Sequence, residues 1–194
     1  MKMKTKFFLP IAGVLFFSLI LFSSFTESYS GPESRASAFK YVGVTSCVGA
    51  CHKSESQGRQ LSIWEESKHS QAYKVLQTPE ADKIAQEKGF TTPAAETPQC
   101  LKCHVLGKEL DPSEFEDSFN KEDGVQCETC HGPGSEYKKL SIMKDKEKSK
   151  ENGLIIHTEK EAFCTTCHNS ESPTFKEFNY EAMWEKIKHT KPKD

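Results

Sequence analysis

The chain has 194 residues, a formal net charge of −2 and a mean hydropathy of −0.63. That length fits one domain, and the near-neutral charge gives no general argument for nucleic acid or an anionic membrane as partner. So polar a chain buries too little apolar surface to hold itself together unaided, and something other than aliphatic side chains must supply part of its core.

Lys2, Lys4 and Lys6 precede an apolar run from Phe7 to Phe22, interrupted by Pro10 and Gly13, and Ser28 and Ser30 suit cleavage before Gly31. Residues 1–30 therefore read as a secretory signal peptide. The rival is an uncleaved membrane anchor, for which the run is marginal against the roughly twenty apolar residues of a span. Export places the protein in the periplasm or another extracytoplasmic compartment, with membrane anchoring if the leader is retained. Its removal takes away three Lys and one Glu and leaves a net charge of −4. Residues 31–40 read as a linker and 41–194 as the one functional domain.

Within that domain, "SIWEESKHSQAYKVLQTP" at 62–79 predicts a helix with Ser62 as its cap, Glu65 three residues on and Pro79 past its end. His69, Tyr73 and Leu76 would share one face of it. Thr78–Gly89 predicts a second helix, with Pro79 at its first position and Gly89 beyond its end. "DPSE" at 111–114 starts a short helix. The segment 137–150 sets six Lys against Asp145 and Glu147. It reads as a solvated helix, or alternatively as a docking face for an acidic redox partner. Thr158 and Glu161 form a capping-box pattern. Asn179 is placed to cap a final helix, whose Tyr180, Met183, Trp184 and Ile187 make one apolar stripe.

The eight cysteines carry the chemistry. Eight in an exported chain first raise four disulfides, but all fall in close pairs: "CVGACH" at 47–52, "CLKCH" at 100–104, "CETCH" at 127–131 and "CTTCH" at 164–168. Every second cysteine is followed by His, which a disulfide does not need and which C-x-x-C-H attachment of haem c does. Two thiols bond the haem vinyl groups, and the adjacent His reaches the iron. Zinc is the other metal that Cys and His could hold. In the first site Cys47 and Cys51 are one residue further apart. At i, i+4 they still share a helical face, and Gly49 can absorb an irregular spacer; the alternative there is a disulfide. Cys47, Cys51, Cys100, Cys103, Cys127, Cys130, Cys164 and Cys167 thus predict four covalent haem c groups. The fold class expected is mainly α, small helices and loops wrapped around four haems with little or no sheet.

Seven histidines serve these sites. His52, His104, His131 and His168 are the proximal ligands, leaving His69, His157 and His189 as distal ones. Four six-coordinate irons need four, so one position is open or is filled by Met143, Met183, a Lys or a neighbouring molecule's His.

Two stretches carry a resemblance: "GVQCETCHGPGSEYKK" at 124–139, and "CHKSESQGRQLSIWEESKHSQA" at 51–72 with its W-x3-S-x-H. Over roughly residues 41–190 the chain resembles the multihaem c-type cytochromes, in particular the tetrahaem cytochrome that accepts electrons from hydroxylamine oxidoreductase. The resemblance implies a mostly helical fold, stacked haem pairs, three bis-His haems and one five-coordinate haem. It gives the open iron to the second site, making His104 its sole protein ligand. Two positions depart from the pattern. Tyr137 stands where the family has a His shortly after its CHGPG turn, a role His189 could take over, and the first spacer is longer.

The function expected is carriage of single electrons between redox partner proteins, with no catalytic residue assigned. The alternative is a redox enzyme acting on a nitrogen oxide, hydroxylamine or peroxide at the five-coordinate haem. A third class is a wire of stacked subunits, each lending a distal His to the next.

Overall fold

The structure is a computed structural model and describes residues 39–191. The leader and most of the linker expected at 31–40 lie outside these residues. Among the described residues no helix is long and apolar enough to cross a membrane.

The fold is mainly α, and no strand forms among the described residues. Its nearest approach to sheet is a bridge between Tyr41 and Phe115, made by Tyr41 N–H donating to the Glu114 carbonyl (2.8 Å) and Glu116 N–H to the Tyr41 carbonyl (2.9 Å). The helices are short: α1 Val44–Cys47, α2 Ala50–Lys53, α3 Gln60–Glu66, α4 Pro79–Glu87, α5 Pro98–Leu101, α6 Cys127–His131, α7 Leu140–Met143, α8 Lys146–Glu151, α9 Lys160–Cys164 and α10 Tyr180–Ile187. A π-helical segment, Lys102–Leu106, continues α5. Helices this short do not persist by themselves, so tertiary packing holds them.

Some elements form where local chemistry predicts. Thr78 caps α4 by accepting from Ala81 N–H, with Pro79 at its first position and Gly89 in the left-handed region after its end. Asp111 caps the 3-10 turn Pro112–Glu114. Asn179 caps α10 through Ala182 N–H at 2.9 Å.

Others differ. The helix expected through His69 stops at Glu66, and Ser62 lies inside it rather than at its cap. Ser67 is extended, and its hydroxyl donates to the Trp64 carbonyl (2.7 Å), competing with continuation of the helix. His69 therefore sits in a turn, although Tyr73 and Leu76 beyond it are buried as expected. No Thr158–Glu161 capping box forms, because α9 begins after Glu159. The chain before it is tied down through His157, whose ring stacks on Phe163 at 3.8 Å. The Lys-rich segment is two helices, broken where Asp145 caps α8. Four of its six Lys are paired: Lys138 with Glu116, Lys139 with Glu136, Lys148 with Asp145 and Lys150 with Glu147. The pairing weakens the docking-face reading.

The apolar core is lopsided. Tyr73, Leu76, Ala85, Ala94, Leu101, Val105 and Leu106 form one cluster, flanked by Phe90, Phe115 and Phe119. Beyond residue 137 no apolar side chain is fully buried among the described residues, and Leu140 (60%), Ile155 (45%) and Met183 (44%) are exposed. The α10 stripe is accordingly shallow. Tyr180 stacks near Trp184 and Lys160 lies over the Trp184 ring, but α10 buries no residue.

Candidate functional site

No disulfide joins any of the eight cysteines, Cys47 and Cys51 included. In the first site the helix breaks between α1 and α2, so Cys47 and Cys51 do not share one helical face: Val48 leaves helical geometry and Gly49 is extended. In the second site Cys100 lies in α5, while Cys103 and His104 lie in the π-helical segment, a backbone variant that recurs at functional sites. The third occupies the whole of α6. The fourth starts at the end of α9, and His168 N–H donates to the Cys164 carbonyl at 3.0 Å.

The sites approach one another through their cysteines. The Cys47 thiol is pushed up first by its hydrogen bond to Cys127 and then by burial. Cys103 is pushed up to about 11 by burial and then by Cys167. Site one therefore lies beside site three, site two beside site four, and site three also beside site four, through Cys130 and Cys164. Burial also pushes the Cys130 thiol up to about 12.

The histidines come together across long sequence distances. His69 faces His168 with ring centres 6.1 Å apart, and His131 faces His189 at 5.8 Å. Two imidazoles bracketing one metal, with bonds of about 2 Å, put their ring centres about 6 Å apart. His52 Nε2 lies 3.4 Å from Met143 Sδ. Burial, then His189, pushes His131 down to about 4. Burial also lowers His52, with His189 second, His69, with His168 second, and His168. These imidazoles are held neutral, the form that binds a metal.

Tautomers sort the remaining histidines, because a carbonyl can only accept. His104 Nδ1–H donates to the Ala72 carbonyl (2.6 Å) and His189 Nδ1–H to the Ile187 carbonyl (2.8 Å), so both keep a free Nε2 lone pair. His157 is the reverse: its Nε2–H donates to the Cys130 carbonyl at 3.0 Å. Among the described residues His104 is the one C-H histidine with neither a facing imidazole nor a sulfur contact.

Polar side chains fix this frame. Trp64 Nε1–H donates to the Val125 carbonyl (2.8 Å), and Val125 N–H to the His69 carbonyl (3.0 Å), fastening the W-x3-S-x-H stretch to the approach of site three. Tyr137, where the resemblance expects a His, is buried and donates to the Gly132 carbonyl at 3.0 Å, a structural role in the CHGPG turn. Thr129 in the third spacer donates to the Val105 carbonyl beside site two (2.8 Å). Sequence reasoning missed Glu128. It is 1% exposed and accepts from the N–H groups of Val42 (2.9 Å), Gly43 (2.7 Å) and Gly134 (2.7 Å). Burial pushes its carboxyl above the ordinary value against the pull of those donors. Nothing in the sequence separates it from a solvated spacer residue.

The residues fit haem c. Imidazoles about 6 Å apart, unbonded thiol pairs in the same sequence motifs and apolar side chains left exposed beyond residue 137 are what a covalent apolar cofactor would complete. Among the described residues no group of three or more His, Cys, Asp or Glu is arranged to hold a bare metal ion.

Compared with known proteins, residues 46–132 match the family described as cytochrome c554 and c-prime. That stretch contains the first three C-H sites. Cytochrome c-554 of Nitrosomonas europaea is 31% identical over 110 residues, 55% of this chain and 44% of that protein, so the match spans less than half the relative's length. No solved structure matches the chain. With three of its C-H sites inside the family match, the chain resembles the multihaem c-type cytochromes of the cytochrome c554 family.

Proposed function

We propose that the protein is an extracytoplasmic tetrahaem c-type cytochrome that carries single electrons between redox partner proteins. The observation that carries this reading is the facing of His69 with His168 and of His131 with His189, each pair holding one C-H histidine. Haem c, when bound, supplies a one-electron iron couple. The protein's part is to attach it through the eight cysteines, to present neutral imidazoles to it and to keep water away. The approach of Cys47 to Cys127, of Cys103 to Cys167 and of Cys130 to Cys164 supports closely spaced attachment of the haems. The signal peptide read at 1–30 supports export.

The holoprotein is expected to contain four haems by pyridine haemochrome assay and by mass. His69→Ala and His189→Ala should each convert one low-spin ferric iron to high spin by EPR, with haem content unchanged. A full low-spin count in either variant would remove that residue as a ligand. His157, expected from the sequence as a third distal ligand, directs its Nε2–H at a carbonyl, so we assign it the role of fastening residues 154–157 to site three. His157→Phe should leave the low-spin count intact, and loss of one low-spin signal would restore it as a ligand.

The second reading, a small-molecule redox enzyme, is favoured by His104, whose Nε2 faces no side-chain ligand among the described residues. It requires turnover of a nitrogen oxide, hydroxylamine or peroxide at a high-spin iron that binds nitric oxide; nitric oxide binding without turnover leaves the carrier reading standing.

A further inference from the structure

On the reading that the C-H sites carry haem c, we propose that Met143 is the distal ligand of the first site, opposite His52. The two residues are 91 positions apart in sequence, yet Met143 Sδ lies 3.4 Å from His52 Nε2, the nitrogen that binds metal when a C-H histidine ligates. About 1 Å of separation admits a metal between a nitrogen and a sulfur with bonds of about 2.0 and 2.3 Å.

The thioether is not a loose surface group that happens to fall there. Met143 ends α7, and its N–H donates to the Lys139 carbonyl at 2.9 Å. Asp145 N–H donates to the Ile142 carbonyl (2.9 Å), and the Ser149 hydroxyl to the same carbonyl (3.0 Å), so α7 is fastened to α8 on the far side of Met143. Tyr137, buried against the Gly132 carbonyl, holds the start of this segment on the CHGPG turn. The chain thus runs from site three to site one and ends on a sulfur aimed at the first site's imidazole.

The assignment settles the ligand shortage without a fourth distal histidine. His69 and His189 serve sites four and three, Met143 serves site one, and His104 alone keeps an open face. A neutral, soft thioether favours the reduced iron relative to a second imidazole and raises the potential of its haem. The first site is then more oxidising than the two bis-His sites.

The test uses the holoprotein, with haem content measured first. The wild-type ferric protein should show the weak far-red sulfur-to-iron band of a His/Met haem, and the reduction step of that haem should stand above those of the two bis-His haems. Met143→Leu should lose that band and gain one high-spin iron at unchanged haem content. Met143→His should lose the band, keep the iron low-spin and bring the high step down among the others. Four haems without the far-red band, or a Met143→Leu protein identical to wild type in EPR and titration, would overturn the ligand while leaving the haem reading intact. A holoprotein with no haem bonded at Cys47 and Cys51 would overturn the assignment together with the reading of that site.

Discussion

Replacing Glu128 by Ala is expected to cost about 3–5 kcal/mol of stability, because buried backbone donors lose a charged acceptor. The carboxylate sits in the spacer of the third C-H site and binds the N–H groups of Val42 and Gly43, which lead into α1, and of Gly134 in the CHGPG turn. Without it three backbone donors lose their acceptor, and each buried unpaired donor costs about 1–3 kcal/mol. Glu128 is 1% exposed, so bulk water does not reach these donors in its place. Glu128→Gln should recover little of the loss. Both carboxylate oxygens accept, Oε1 from Val42 and Gly134 and Oε2 from Val42 and Gly43, so an amide NH2 in either place meets a donor. Denaturant midpoints of the holoproteins decide this, and an Ala variant within about 1 kcal/mol of wild type would show that the latch does not hold sites one and three together.

What was legible in the sequence was local. The four C-H sites, the mainly α class, Thr78 and Pro79 at the start of α4 and Asn179 at the start of α10 all rest on residues a few positions apart. What was not legible depended on distant partners or on local competition. Ser67 looks like one more polar helix residue until its hydroxyl takes the Trp64 carbonyl and ends α3. His69, His157 and His189 look alike as spare histidines. They separate once their nitrogens are placed: one ring faces His168, one donates to Cys130, and one is oriented by Ile187 toward His131. Met143 is one of several residues the sequence offers for the missing distal position, and only the route of the chain past the CHGPG turn brings it, rather than the others, to His52. Glu128 reads as a surface charge because the residues that bury it come from 85 and 86 positions earlier.

Gly124→Ala should disturb two sites at once. Gly124 has φ +73, and an added Cβ would lie 2.6 Å from the His69 carbonyl oxygen and 3.1 Å from the Ala72 nitrogen. The backbone there, φ +73 and ψ −141, lies in a region essentially confined to glycine and costs another residue about 1–3 kcal/mol. The contacts add to this because they are backbone atoms, which cannot swing aside as a side chain would. Relief requires moving the 69–73 turn. That turn carries His69, which faces His168, and presents the Ala72 carbonyl that orients His104. It also accepts from Val125 N–H, so the shift cannot be absorbed on the Gly124 side without pulling on α6. The expected result is a holoprotein with altered EPR signals from the fourth and second sites, unchanged signals from the first, and a lowered unfolding midpoint. Gly89→Ala is the control: its φ is +84, but an added Cβ meets nothing within 4 Å. It should show the conformational cost alone, with all four sites spectroscopically as in wild type. Equal midpoints and equal spectra for the two variants would mean that the 69–73 turn does not set the ligand geometry.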